Sequence, residues 1–229
     1  MSEWEWVQPV GIQIAEWGIP FVIGLLFRKR VARWLITAKM RLLNDTISIG
    51  VVSVRSYQPT EIASCNFQIY DNIKAKIANT KLINLFSNGL RISLGDFGNI
   101  KILIEKVAND EDNEEGQTPE ITRIKAVLTP ESPLRFGVRD IGQLSEFSNN
   151  IEVIFGEIER FCLAECRIIP EASYTIIELP RVGHFLEEKN FRAENQSLGS
   201  SIYATDDKIT ITVKTLSQIG KATKKYVLA

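Results

Sequence analysis

From residue 44 onward the hydrophobic period of this chain switches repeatedly, and each switch marks a predicted element. Residues 46–55 (TISIGVVSVR) are β-branched and partly alternating, which predicts a strand. Over residues 67–86, Ile69, Ile73, Ile77, Leu82 and Phe86 fall near helical spacing, with Lys74, Lys76 and Lys81 off that stripe. Asn88-Gly89 then supplies a helix stop. Short apolar runs at 90–94 and 100–107 flank Gly95, Asp96, Phe97 and Gly98, so they predict a hairpin whose glycines serve a turn with positive φ.

Residues 109–120 (NDEDNEEGQTPE) interrupt this order with an acidic linker. Beyond it the order recurs. A strand is predicted at 121–128, a turn at Thr129, Pro130, Glu131, Ser132 and Pro133, and a short strand at 134–138. Residues 141–166 form the longest helix candidate, with Leu144, Phe147, Ile151, Ile154, Ile158, Phe161 and Cys162 on one side. A strand at 173–178, an irregular stretch at 180–198, paired strands at 200–204 and 208–214, and a tail complete the reading. The expected fold class is therefore α+β. An N-terminal hydrophobic and amphipathic helical segment, 1–43, precedes two strand–helix–hairpin halves, 44–108 and 121–229, whose element order is compatible with duplication.

The N-terminal segment has its own pattern. All four tryptophans (Trp4, Trp6, Trp17 and Trp34) fall within it. Residues 10–27 are mostly apolar, carry Phe21, Leu25 and Phe27, and run into Arg28, Lys29, Arg30 and Arg33. A helix from Trp6 to Arg28 would rise about 33 Å, near a bilayer's hydrocarbon thickness. Glu16 and Pro20 weigh against a simple span, since a mid-helix carboxylate costs about 2.5–3.5 kcal/mol and proline removes a helix hydrogen bond. Farther on, Val31, Trp34, Leu35, Ala38 and Leu42 follow helical spacing between basic residues, the pattern of an interfacial helix. The expectation is a docking end for membrane lipid or a membrane protein. The alternative is a Trp-rich arm that assembles a homo-oligomer.

Charge sharpens this division. The chain has 27 Lys/Arg against 28 Asp/Glu, but residues 1–43 hold six basic residues against only Glu3, Glu5 and Glu16. The acidic remainder argues against a general nucleic-acid partner. Basic residues after the apolar segment place a spanning chain's body on the cytoplasmic side of a cell membrane of prokaryotic type, with a purely cytoplasmic location as the alternative. Three cysteines make an odd, sparse set that implies no disulfide framework.

Candidate chemistry is thin. The single histidine, His184, rules out two-histidine metal motifs within one chain. A Cys₃His site from Cys65, Cys162, Cys166 and His184 lacks the tight knuckle that structural zinc uses, so no metal and no cofactor are expected. The acidic run fails the calcium-loop pattern, and no Walker A stretch occurs. Arg181, His184 and Glu187 lie in the densest polar cluster outside the linker and mark a ligand or partner loop. The expected function is a membrane-associated, non-enzymatic binding or adaptor protein. Its alternatives are a soluble oligomeric module and an enzyme using the Arg181–His184 loop.

Overall fold

The computed structural model describes residues 31, 34–35, 38–39, 41–63, 67–108, 121–164, 169–180, 191–195, 200–205, 208–221 and 223. The chain divides into two compact units, Met1–Asn44 with Gly183–Glu187, and Asp45–Val182 with Glu188–Ala229. The larger unit begins with β1 (Thr46–Tyr57), α1 (Phe67–Lys76), β2 (Thr80–Phe86), β3 (Gly89–Leu94) and β4 (Asn99–Ala108). It continues with β5 (Ile121–Pro130), β6 (Leu134–Gly137) and α2 (Gln143–Phe161). The last strands are β7 (Ala172–Pro180), β8 (Phe191–Asn195), β9 (Ser200–Ala204) and β10 (Lys208–Val213).

These strands form one ten-stranded sheet in the order β2-β3-β4-β5-β1-β7-β10-β9-β8, with β6 also paired to β1. Every pairing is antiparallel. The expectation of an α+β fold with a helical N-terminus and two strand–helix–hairpin halves is overturned. The described chain is mainly antiparallel sheet with few short helices. The halves also do not repeat each other: β4 closes the first half beside β5, whereas β7, the first strand after α2, lies against β1. The physical reason is that β1 is buried on most of its length and must be paired on both edges. It takes its neighbours from beyond the acidic linker.

One sheet face holds the core. Directly opposed residues share a face, so Tyr57, Ile124 and Lys106 align across one row, and Val51, Ile177 and Ile211 across another. Ile100, Ile102, Ile104, Ile124, Ala126, Leu128, Ile177 and Ile211 on this face are all essentially inaccessible. α2 packs Leu144, Phe147, Ile151, Ile154, Phe155 and Ile158 inward, as its spacing predicts, and α1 adds Ile69, Tyr70 and Ile73. Each such side chain contributes about 1.5–3 kcal/mol on burial.

Two elements depart from the sequence reading. The expected helix over 67–86 stops at Lys76, because Asn79 takes a left-handed φ of 59° and turns the chain into β2. The apolar stripe runs through both, but Leu82 and Phe86 belong to it as strand residues opposite Ile92 and Gly89. β8 lies in the stretch expected to be irregular.

The membrane helices are also corrected. Among the described residues no helix is long and apolar enough to cross a membrane, and the expected span at 10–27 lies outside them. At 31–43 the described positions, Ala38 excepted, are all exposed and do not separate into a buried apolar and an exposed polar side. Val31, Trp34, Leu35, Leu42 and Leu43 are as exposed as Lys39 and Arg41. An amphipathic helix is therefore withdrawn as an expectation.

Candidate functional site

The second face of the sheet is not covered by α1 or α2. Register assigns to it Arg91 on β3, Lys101, Leu103, Glu105 and Val107 on β4, and Arg123, Lys125 and Val127 on β5. It also receives Val52 and Val54 on β1, Tyr174, Ile176 and Glu178 on β7, and Thr210 and Thr212 on β10. Tyr203, on β9 opposite Thr210, is 51% exposed. Leu103, Val127, Val52, Tyr174 and Ile176 are only half-buried, unlike their counterparts on the core face. They form an apolar band across the middle strands. Lys101, Arg123 and Lys125 border it on the β4–β5 side, and Glu178 ion-pairs with Lys208 at 2.8 Å on the other.

At one end of this face the sheet opens into a cleft of about 380 Å³. Its cause is readable in residues 129–133. Leu128 lies opposite Ser53 and Leu134 opposite Ile49, so five residues span a gap that only three residues of β1 occupy. Pro130 and Pro133 bring no N–H to a ladder, which favours a bulge at this point. The bulge is held outward: Glu131 donates its backbone N–H to the Asn99 carbonyl at 2.9 Å. The Glu131 carboxylate accepts from Arg91 and, at 3.2 Å, from Asn99 Nδ2.

Facing the bulge is the β3–β4 turn. Gly98 has φ 74° and ψ −153°, a conformation that only glycine adopts readily. Its carbonyl accepts the Leu94 N–H at 2.8 Å. The turn places Asp96 at the surface and tucks Phe97 beneath, 6.4 Å from the Phe136 ring and 5.4 Å edge-on to Phe147 of α2. Ser48, Asp96, Asn99, Ser132 and Arg135 line the cleft with polar groups and Phe97 and Pro133 with accessible apolar surface, while Leu134 and Phe136 also border it from the core side of β6. Asp96, Ser132 and Arg135 are exposed, while Leu134 and Phe136 are buried. The lining contains neither histidine nor cysteine.

On the core face a polar cluster ties β1 to α2. The Tyr57 hydroxyl donates to Glu159 Oε1 at 2.7 Å, and Arg55 donates to the same oxygen at 3.1 Å. Arg55 also pairs with Glu152 and lies 4.4 Å over the Phe155 ring. Burial alone would lower the Arg55 pKa, but hydrogen bonds and charge from Glu152 and Glu159 outweigh it and hold the guanidinium charged. Burial pushes the Tyr57 hydroxyl far above its ordinary 10.0, and the Glu159 carboxylate adds to the shift.

That shift has a sign. An unfolded tyrosine ionises near pH 10 while folded Tyr57 keeps its proton, so the stabilisation is whole below pH 10 and falls above it. The expected slope is about 1.4 kcal/mol per pH unit. Tyr57→Phe should flatten this part of the profile in urea titrations between pH 9 and 11, and an unchanged slope would refute the assignment. Bonded from strand to helix through both carboxylates, this cluster ties α2 to β1.

The residues expected from sequence fall mostly elsewhere. Trp4, Trp6, Trp17, Phe21, Leu25, Phe27, Arg28, Lys29, Arg30 and Arg33 lie outside the described residues, as do Arg181, His184, Glu187, Cys65 and Cys166. Trp34 is described and 69% exposed. Cys162 is fully buried and continues the apolar side of α2. Sequence reasoning treated both cleft-forming segments as isolated turns. The available signal was the pair of prolines inside an otherwise strand-like run.

No protein-family model and no curated protein matches this chain.

Proposed function

We propose that this chain is a non-enzymatic binding protein, an adaptor that receives a partner on the sheet face opposite α1 and α2. The observation behind this reading is the half-buried band of Leu103, Val127, Val52, Tyr174 and Ile176 bordered by Lys101, Arg123 and Lys125. An apolar centre with a charged rim is the anatomy of a protein–protein interface. The rim on the β4–β5 side favours a partner with an acidic surface, since complementary charge steers encounter.

A photo-crosslinking residue at Val127, compared with one at Asn149 on α2, tests this in cells. The expected result is a discrete crosslinked partner from Val127 alone. The Lys101→Glu, Lys125→Glu double variant should reduce it roughly tenfold, about 1.4 kcal/mol, without lowering the melting temperature. Equal crosslinking from Asn149, or none lost on charge reversal, would reject the reading.

Membrane delivery through residues 1–43 belongs to the same proposal. Its support is the exposed apolar set Val31, Trp34, Leu35, Leu42 and Leu43, which is unusual for a solvated surface. The same set would serve self-assembly equally well. A fusion of residues 1–43 to a soluble reporter should sediment with membranes. A reporter left in the soluble fraction, together with an oligomeric mass for the full chain and a monomeric mass for a 44–229 truncation, would favour assembly.

A further inference from the structure

We infer that the cleft between the residue 129–133 bulge and the β3–β4 turn is a binding site for a flat-ringed anion of mononucleotide size. The inference is independent of the partner face. Its volume of about 380 Å³ lies within the range of small-ligand pockets, about 300–1,000 Å³. The two walls differ in chemistry, and each restricts the ligand.

Arg135 offers only donors and a fixed positive charge, so an anionic group belongs beside it. Asp96 offers only acceptors and would repel that anion, so an N–H-bearing edge belongs on its side. Ser48, Asn99 and Ser132 can donate or accept between them. Phe97, half-buried, and Pro133, exposed, supply the cleft's accessible apolar wall, which suits a flat ring. A bare inorganic anion would leave this wall unused, and a plain hydrocarbon would leave Arg135 and Asp96 without complementary groups. A phosphate joined to a nitrogenous ring meets both demands.

The cleft is also braced as a preformed site. Glu131 ties the bulge to Asn99 and Arg91, and Gly98 fixes the turn opposite. Phe97 is seated on Phe147 of the main helix at 5.4 Å. Little ordering is then required on binding, which favours affinity.

The test uses the full chain labelled with ¹⁵N and titrated separately with AMP, adenosine and inorganic phosphate. AMP is expected to shift the backbone amides of Ser48, Phe97, Gly98, Asn99 and Arg135, with adenosine binding more weakly and phosphate leaving the Phe97 and Gly98 signals in place. Arg135→Ala, at an exposed position that leaves the spectrum otherwise intact, should weaken AMP roughly 10- to 100-fold. Asp96→Ala should weaken AMP but not phosphate. The inference is overturned if AMP moves none of these amides at about 10 mM, where even a millimolar site would be mostly filled. It is also overturned if phosphate alone reproduces the AMP response, or if Arg135→Ala binds AMP as tightly as the parent.

Discussion

Phe147→Ala is expected to lower the stability of this protein by about 3–5 kcal/mol, enough to shift a urea midpoint by more than a unit of molarity. Phe147 is fully buried in the N-terminal part of the apolar stripe of α2. Truncation removes its transfer free energy and leaves a cavity that neighbouring isoleucines on a rigid sheet cannot fill. Phe147→Leu, which keeps most of the volume, should cost less than half as much. The larger change should also be felt in the cleft, because the Phe97 ring rests edge-on against Phe147. Amide signals of Gly98 and Asn99 should therefore move in Phe147→Ala. A loss below about 1 kcal/mol would mean that α2 is not seated on the sheet as described.

Gly89→Ala is expected to be at least as damaging, although it adds a single methyl group. A Cβ at Gly89 would overlap the backbone carbonyl oxygen of Ile102 and come within 3.1 Å of Leu103 Cα. Neither obstacle is the flexible end of a side chain. Relief requires β3 and β4 to separate where they are paired, so the cost should reach roughly 3 kcal/mol or abolish soluble expression. Gly156→Ala provides the contrast. That glycine sits within α2 with nothing within 4 Å of its would-be Cβ, and the change should stabilise by about 0.5–1 kcal/mol. Parallel urea melts of the two variants decide the matter, and a mild Gly89→Ala would contradict the β3–β4 register.

Legibility in the sequence followed the reach of the interactions concerned. The stripe from Leu144 to Ile158 is local, so helical spacing alone identified the buried side of α2. The turn glycines were equally local: Gly95 and Gly98 have φ of 55° and 74°. The end of α1 was obscured because Leu82 and Phe86 keep a spacing that suits either a helix or a strand. Pairing with Ile92 and Gly89, not periodicity, decides between them. The fold class was misread for a related reason. Element order along the chain resembles two copies of one unit, yet the neighbours of β1 come from strands more than sixty residues downstream. No window of a dozen residues contains that information.

The cleft illustrates the same limit. Pro130 and Pro133 announce an interruption, and Gly95 and Gly98 announce a turn, but only the β4–β5 register brings the two together. The face opposite α1 and α2 was hidden for a different reason. Alternation along β4 and β5 gives one set of wholly buried residues and one that is half-buried or charged. Which elements cover which set is a property of the assembled sheet.

The central place of β1 has a consequence for how the molecule comes into being. Its partners β5, β6 and β7 are not complete until Pro180, so an emerging chain holds β1 without its full set of neighbours while more than half of the protein is synthesised. High contact order of this kind makes folding slow and exposes the nascent strand to wrong partners. It also means that a chain cut within residues 109–120 yields no autonomous half. The N-terminal fragment would own β1 and the C-terminal fragment every neighbour of β1, so the two pieces are expected to regain structure only by complementing each other.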